Sequence, residues 1–168
     1  MMYGGDMHLT DDDFFKTIKS TPLISIDLVI SDSSGRYLLG LRKNRPAADH
    51  WFVLGGRIKK GESISNAFKR VAENELGVTL QCSEAKFIGV YEHFYKDSFY
   101  DVMTPTHYVV LAYSIELGCD VNSFSVAQHS KYKWFDIIEL LASPDVHQYT
   151  KNYFLDKGLE VNENSSFF

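Results

Sequence analysis

Cysteine is scarce in this chain. Of 168 residues only Cys82 and Cys119 carry thiols, and their spacing matches no metal-binding motif. Two free thiols in a cytoplasmic protein is the reading they support. Long apolar runs are missing as well: none approaches the ~18 residues that a membrane span needs. The opening "MMYGGDMHLTDDDFF" is too acidic for a signal peptide, so no membrane partner is expected. Repeats, low-complexity tracts and linkers are also absent, which predicts one domain over 1–168. That length suffices to bury roughly two thirds of the unfolded surface in a single core.

Net positive charge is lacking too. A formal charge of −5 argues against nucleic acid as a partner. The charge is nevertheless uneven. Between Arg42 and Arg70 lie eight of the 17 basic residues (Arg42, Lys43, Arg45, Arg57, Lys59, Lys60, Lys69 and Arg70) against two acids, Asp49 and Glu62. A local cationic excess suits a small, strongly anionic ligand such as a diphosphate; a solvated basic face would read the same way.

Local signals place the elements. Thr10 followed by Asp13 predicts a capped helix to about Lys19, within an N-terminal helical segment over 1–20. "LISIDLVISD" reads as a strand, "SSG" as a turn and "RYLLGLRK" as the second arm of a hairpin. "WFVLGG" reads as one short strand. The run from Ser63 to Leu76 is helical, with Ile64, Phe68 and Val71 on one stripe, and Gly77 stops it. Strands are expected at Lys86–Phe94, His107–Glu116 and Lys131–Phe135. Helices are expected from Ile137 to Pro144 and near Gln148–Lys157, and the 160–168 tail should fray. This order predicts an α/β (α+β) domain, a mixed sheet between helices.

Within "GGRIKKGESISNAFKRVAENELGV" one residue stands out. Glu75 falls within about 40° of the inward stripe Ile64–Phe68–Val71. It also sits in the last helical turn, where the macrodipole disfavours a carboxylate by roughly 0.3–1 kcal/mol. An inward acid there needs a cation, either a metal or the neighbouring Arg70. Glu73 points the other way, as a solvated charge. The paired glycines, Gly55 and Gly56, let backbone atoms approach a metal or phosphate closely.

The spacing Gly56, Glu62, Arg70, Glu75, Gly77, Val78 resembles the Nudix box, G-x5-E-x7-R-E-U-x-E-E-x-G-U. Two acids of that box are missing: Val71 and Asn74 stand in their places. In this respect the chain is similar to the GDP-mannose mannosyl hydrolases, a Nudix subgroup degenerate at the same positions. The likeness extends outside the box, through "STPLISIDLVI", "LLGLRKNRPA", "WFVLGGR", "GVYEHFY", "THYVVL" and "DVHQYTKNYFL".

The resemblance implies a Nudix fold, a homodimer, Mg²⁺ (with Mn²⁺ as a substitute) and release of GDP and free sugar from GDP-mannose, and from GDP-glucose. Water would attack the sugar C1 with inversion. By position the metal would be held by the Gly55 carbonyl, Glu75 and Gln128, with Glu62 and Arg70 as a structural brace. One carboxylate with neutral oxygens is a reasonable magnesium shell when substrate phosphates complete it.

His129 would be the general base. Its unperturbed pKa of about 6.5 suits proton acceptance near neutrality, although residue type alone does not raise it above the other histidines. Arg42 and Arg57 would contact the diphosphate, and Asp27 and Tyr108 the region of the sugar and leaving phosphate. Asp27 has an alternative reading, the outward face of an alternating strand. His93 is a candidate pocket residue or part of an aromatic strand core. His8, Leu9 and Phe14 would touch nucleotide, reaching a partner subunit's site.

Overall fold

The computed structural model describes residues 9–117 and 129–155. Helix α1 (Asp11–Ser20) begins where expected, with the Thr10 hydroxyl accepting from the Asp13 amide and three acids in the first turn. Strand β1 (Leu23–Ser31) turns through Asp32–Gly35 into β2 (Tyr37–Arg42). Gly35 takes φ +75° in that turn, and the Asp32 carboxylate accepts from the Ser34 and Arg36 amides.

"WFVLGG" is not one strand but two, β3 (Trp51–Phe52) and β4 (Leu54–Arg57). The break falls at Val53, whose amide donates to the Thr150 hydroxyl rather than to a neighbouring strand. As a result β3 pairs with β2, and β4 crosses to β1.

Helix α2 (Ile64–Leu76) is capped by the Ser63 hydroxyl and closed by Gly77 in the left-handed region. Ile64 is a correction: it is 46% exposed. The whole first turn faces solvent, and burial starts at Ala67, continuing through Phe68, Val71, Ala72, Glu75 and Leu76. A short 3₁₀ turn (Cys82–Glu84) leads to β5 (Lys86–Tyr95), then β6 (Thr106–Glu116). β7 (His129–Phe135), α3 (Ile137–Ala142) and α4 (Gln148–Asn152) follow.

The seven strands form one mixed sheet, ordered β3-β2-β1-β6-β5, with β4 on β1 and β7 on β2. Among the described residues only β1 and β6 run parallel; the other strand pairings are antiparallel. β1 is buried along nearly its whole length, as a strand covered on both faces must be. Ile26, Leu28 and Ile30 pack with Phe68, Val71 and Leu76 of α2 on one face. Val29, Phe52, Val110 and Ala112 pack with Leu140 and Tyr153 on the other. The predicted helix–sheet–helix layering is realised. Among the described residues no helix is long and apolar enough to cross a membrane.

Candidate active site

A cleft of about 900 Å³ opens beside β1 and β4. Its walls include Asp27, Arg42, Gly55, Arg57, His93 and Tyr108, six of the residues expected from the sequence. Phe14 of α1 and Leu9, just before that helix, join them. Phe14 and Leu9 thus line the cleft of their own chain. The Arg57 guanidinium lies 3.6 Å over the Phe14 ring, and Phe14 in turn meets Tyr100 edge-on. Tyr100 donates to Asp11, which ties α1 to the loop before β6.

Asp27 is 7% exposed, so it is not an outward strand residue. It faces the α4 side of β1, where the Tyr153 hydroxyl donates to Oδ2 at 2.6 Å. Burial raises its carboxyl to about 6, against the lowering effects of the Tyr153 hydrogen bond and the Arg42 charge. Across the ladder its partner is Gly55. A Cβ at Gly55 would lie 2.5 Å from Asp27 Oδ1 and 2.5 Å from the Ile26 carbonyl oxygen, so glycine is required there.

His93 combines both of its expected roles. It lines the cleft, and it is packed into an aromatic cluster, stacked on Tyr149 at 4.2 Å with 6° between planes. Burial, with the neighbouring His147, lowers its pKa to about 3, which keeps the ring neutral. Burial raises the Tyr108 phenol, opposed by Arg57 and Arg42. Desolvation also lowers Arg57 from its usual range.

The second half of the expected site lies apart. Glu75 projects from α2, on the face of β1 opposite to Asp27, and neither it nor His129 lines the cleft. The two meet each other instead: His129 Nδ1 is 3.4 Å from Glu75 Oε2, and both residues are buried, at 1% and 4% exposure. His129 opens β7 and pairs with Arg42 of β2, rather than preceding the strand as the sequence suggested. Among the described residues neither ring nitrogen of His129 has a hydrogen-bond partner. Burial raises the Glu75 carboxyl to about 7, with Arg42 opposing. Burial, then Arg42 and Lys43, lowers His129 to about 4.

Arg42 therefore connects the halves, lining the cleft while its charge reaches Asp27, Glu75 and His129. Arg70 does not compete for Glu75. Its guanidinium grips both oxygens of Glu62 at 2.7 and 2.8 Å and donates to the Arg57 carbonyl at 2.7 Å. That is the expected brace, and it fixes the backbone that carries Arg57 into the cleft.

Burial disfavours the ionised form of the Glu75 carboxyl, an oxygen donor, so a hard cation beside it would be stabilising. One buried carboxylate fits a single ion. No group of three His, Cys, Asp or Glu side chains assembles among the described residues, so a carboxylate-rich cluster is not present there. Gln128 and His8 lie outside the described residues. Sequence reasoning missed Tyr153 and Tyr149; only their place in a quoted segment hinted at them.

The sequence model of the family described as NUDIX domain matches residues 21–156. The low-salt glycan biosynthesis protein Agl8 of Haloferax volcanii is 38% identical over 128 residues, covering 76% of this chain and 80% of that protein. A MutT NUDIX hydrolase from Burkholderia pseudomallei superposes with a TM-score of 0.65 at 25% identity, over 81% of this chain and 98% of that one. The MutT protein of Methanosarcina mazei Go1 gives 0.65 at 20% identity, over 82% and 94%.

Proposed function

Because the chain belongs to the Nudix hydrolase superfamily, we propose that it hydrolyses GDP-mannose, and GDP-glucose as a second substrate, to GDP and the free sugar. The observation that carries this reading is the composition of the box helix. Val71 and Asn74 cannot ligate a metal as carboxylates, and Glu75 is the one acid of α2 that is buried. A site so poor in acids suits attack at carbon better than attack at phosphorus, which in this family relies on several metal-bound carboxylates. The glycan biosynthesis role named for the Agl8 relative supports a sugar-linked substrate.

In the proposed reaction water attacks C1 from the face opposite the diphosphate. The bond from C1 to the phosphate oxygen breaks, and GDP departs with its electron pair. Inverting glycosidases need a second carboxyl group to protonate a poor leaving group, and GDP does not require one. Arg42 and Arg57 hold the diphosphate and meet its growing charge with rigid, always-charged forks. Asp27 and Tyr108 face the sugar and the leaving phosphate. His129, neutral above about pH 4, accepts the water proton and passes it to solvent. Glu75 and the Gly55 carbonyl, with Gln128, would hold Mg²⁺ or Mn²⁺, which supplies charge stabilisation to the diphosphate when bound.

A second reading of the base is favoured by one observation: Asp27 lines the cleft and His129 does not. If Asp27 accepts the proton, Asp27→Asn loses far more turnover than His129→Gln. The proposed assembly is a cytoplasmic homodimer, which sedimentation tests directly.

The reaction itself is tested by incubating GDP-mannose with the protein and Mg²⁺ in ¹⁸O-water. GDP and labelled mannose are expected. Label in GMP or in mannose 1-phosphate would overturn the reading in favour of a conventional pyrophosphohydrolase. Bound, intact substrate would make the chain a nucleotide-sugar-binding module.

A further inference from the structure

Behind the cleft wall, and off its surface, lies Tyr153. We propose that Tyr153 is a positioning residue that holds Asp27 and His93 as one hydrogen-bonded unit against the sugar. This rests on the reading of Asp27 as a group that acts on the sugar.

The phenol has one proton and a free lone pair, and both are engaged. It donates to Asp27 Oδ2 at 2.6 Å and stands 3.2 Å from His93 Nε2. With its proton committed to the carboxylate, the phenol oxygen accepts from His93. The imidazole is thereby assigned the Nε2–H tautomer, which leaves Nδ1 facing the Tyr95 hydroxyl at 3.5 Å. Asp27 is held at Oδ2 by the phenol, while Oδ1 sits close against the side of Gly55 that carries no side chain.

The bridge has no substitute within the sheet. Asp27 is on β1 and His93 on β5, with β6 between them, so no ladder joins the two directly. Tyr153 reaches both because the segment around α4 is anchored at three other places. The Thr150 hydroxyl accepts from Val53, the Tyr149 hydroxyl bonds the Phe94 backbone, and the Trp51 carbonyl accepts from the His147 amide. Edge-on packing against Tyr91 at 4.6 Å sets the Tyr153 ring. A tyrosine that merely filled the core would need one hydrogen-bond partner. This one joins two side chains that both line the cleft.

The test compares Tyr153→Phe, Asp27→Asn and the double variant. Tyr153→Phe keeps the ring and its packing, so the fold should persist by circular dichroism. Its kcat for sugar release should fall by about 10–100-fold, the scale expected when a reacting group is released from its geometry, with KM unchanged. In the Asp27→Asn background the same change should cost nothing further. Unchanged kcat in Tyr153→Phe, or the same fold-loss in both backgrounds, would overturn the assignment. Full turnover in Asp27→Asn would instead remove the underlying reading of Asp27, and the positioning role with it. The unmodified chain gives an independent check: ¹⁵N NMR should report His93 as the Nε2–H tautomer, and an Nδ1–H tautomer would overturn the proposal.

Discussion

Gly40→Ala tests the site through a residue that touches no substrate. Gly40 lies on β2, directly under the His129 ring. A Cβ added there would stand 2.5 Å from His129 Cδ2 and 2.6 Å from Cγ. Carbon atoms in contact settle at about 3.5–4.0 Å, so the ring must retreat by roughly 1 Å. It has little room to do so, since Glu75 is 3.4 Å away and the site is buried. Overpacking of this kind costs about 1–3 kcal/mol of stability, measurable as a lower urea midpoint at unchanged slope. If His129 is the base, a misplacement of about 1 Å lowers kcat by ~10²-fold. His129→Gln should lower it by ~10²–10⁴-fold, the usual worth of a general base, with nucleotide affinity little changed. The two changes should not add, because each removes the same group from the reaction. Steady-state kinetics of sugar release at saturating GDP-mannose reads this out. A folded Gly40→Ala protein with unchanged kcat would refute the argument, and would point to Asp27 as the proton acceptor.

Two further outcomes follow from the geometry. Arg70→Gln should cost about 1–3 kcal/mol in urea unfolding, since it removes two charge-assisted hydrogen bonds to Glu62 and one to the Arg57 carbonyl; KM for the nucleotide sugar should rise as the Arg57 backbone loosens, and Arg70→Lys should rescue it only in part. His147→Asn should flatten the acid side of the stability profile, measured as Tm against pH. The unfolded chain protonates His147 near pH 6.5 while the folded chain, through burial, His50 and Arg42, waits until about pH 4. Between those values the unfolded state binds more protons, so stability present above pH 6.5 is lost as pH falls, and the variant lacks that loss. Asp27 and Glu75, raised by burial, act in the opposite direction in an overlapping window, so the difference between variant and parent is the quantity to read.

Much of the fold could be read locally because its signals are local. The Thr10 and Ser63 caps, the Gly77 stop and the Asp32–Gly35 turn each depend on residues within four positions. The Glu62–Arg70 brace was expected from the resemblance to the Nudix box. Where reading failed, a distant partner decided the outcome. Val53 looked like strand interior, but Thr150, 97 residues away, takes its amide. Ile64 fits the helical stripe by angle, yet the first turn of α2 carries no buried residue, a matter of where the helix meets the sheet. Asp27 had an alternative reading as an outward strand residue, and Tyr153, 126 positions on, bonds it on the inward side. The separation of Glu75 and His129 from the cleft wall was invisible in sequence, because a motif gives spacing along the chain and not the face of the sheet.

The Tyr149 hydroxyl bears on more than His93. It donates to the Phe94 carbonyl and accepts from the Phe94 amide, both at 2.8 Å, and so occupies one full hydrogen-bonding position on β5, the last strand of the sheet among the described residues. A ten-residue terminal strand with free backbone groups is a template onto which another chain can add. The register shift between Phe87 and Gly89 distorts one end of that strand, and the phenol closes the other. The residue that stacks on the cleft's imidazole thus also blocks a pairing position on that edge, so one side chain serves both the packing of the cleft wall and protection against edge-to-edge self-association.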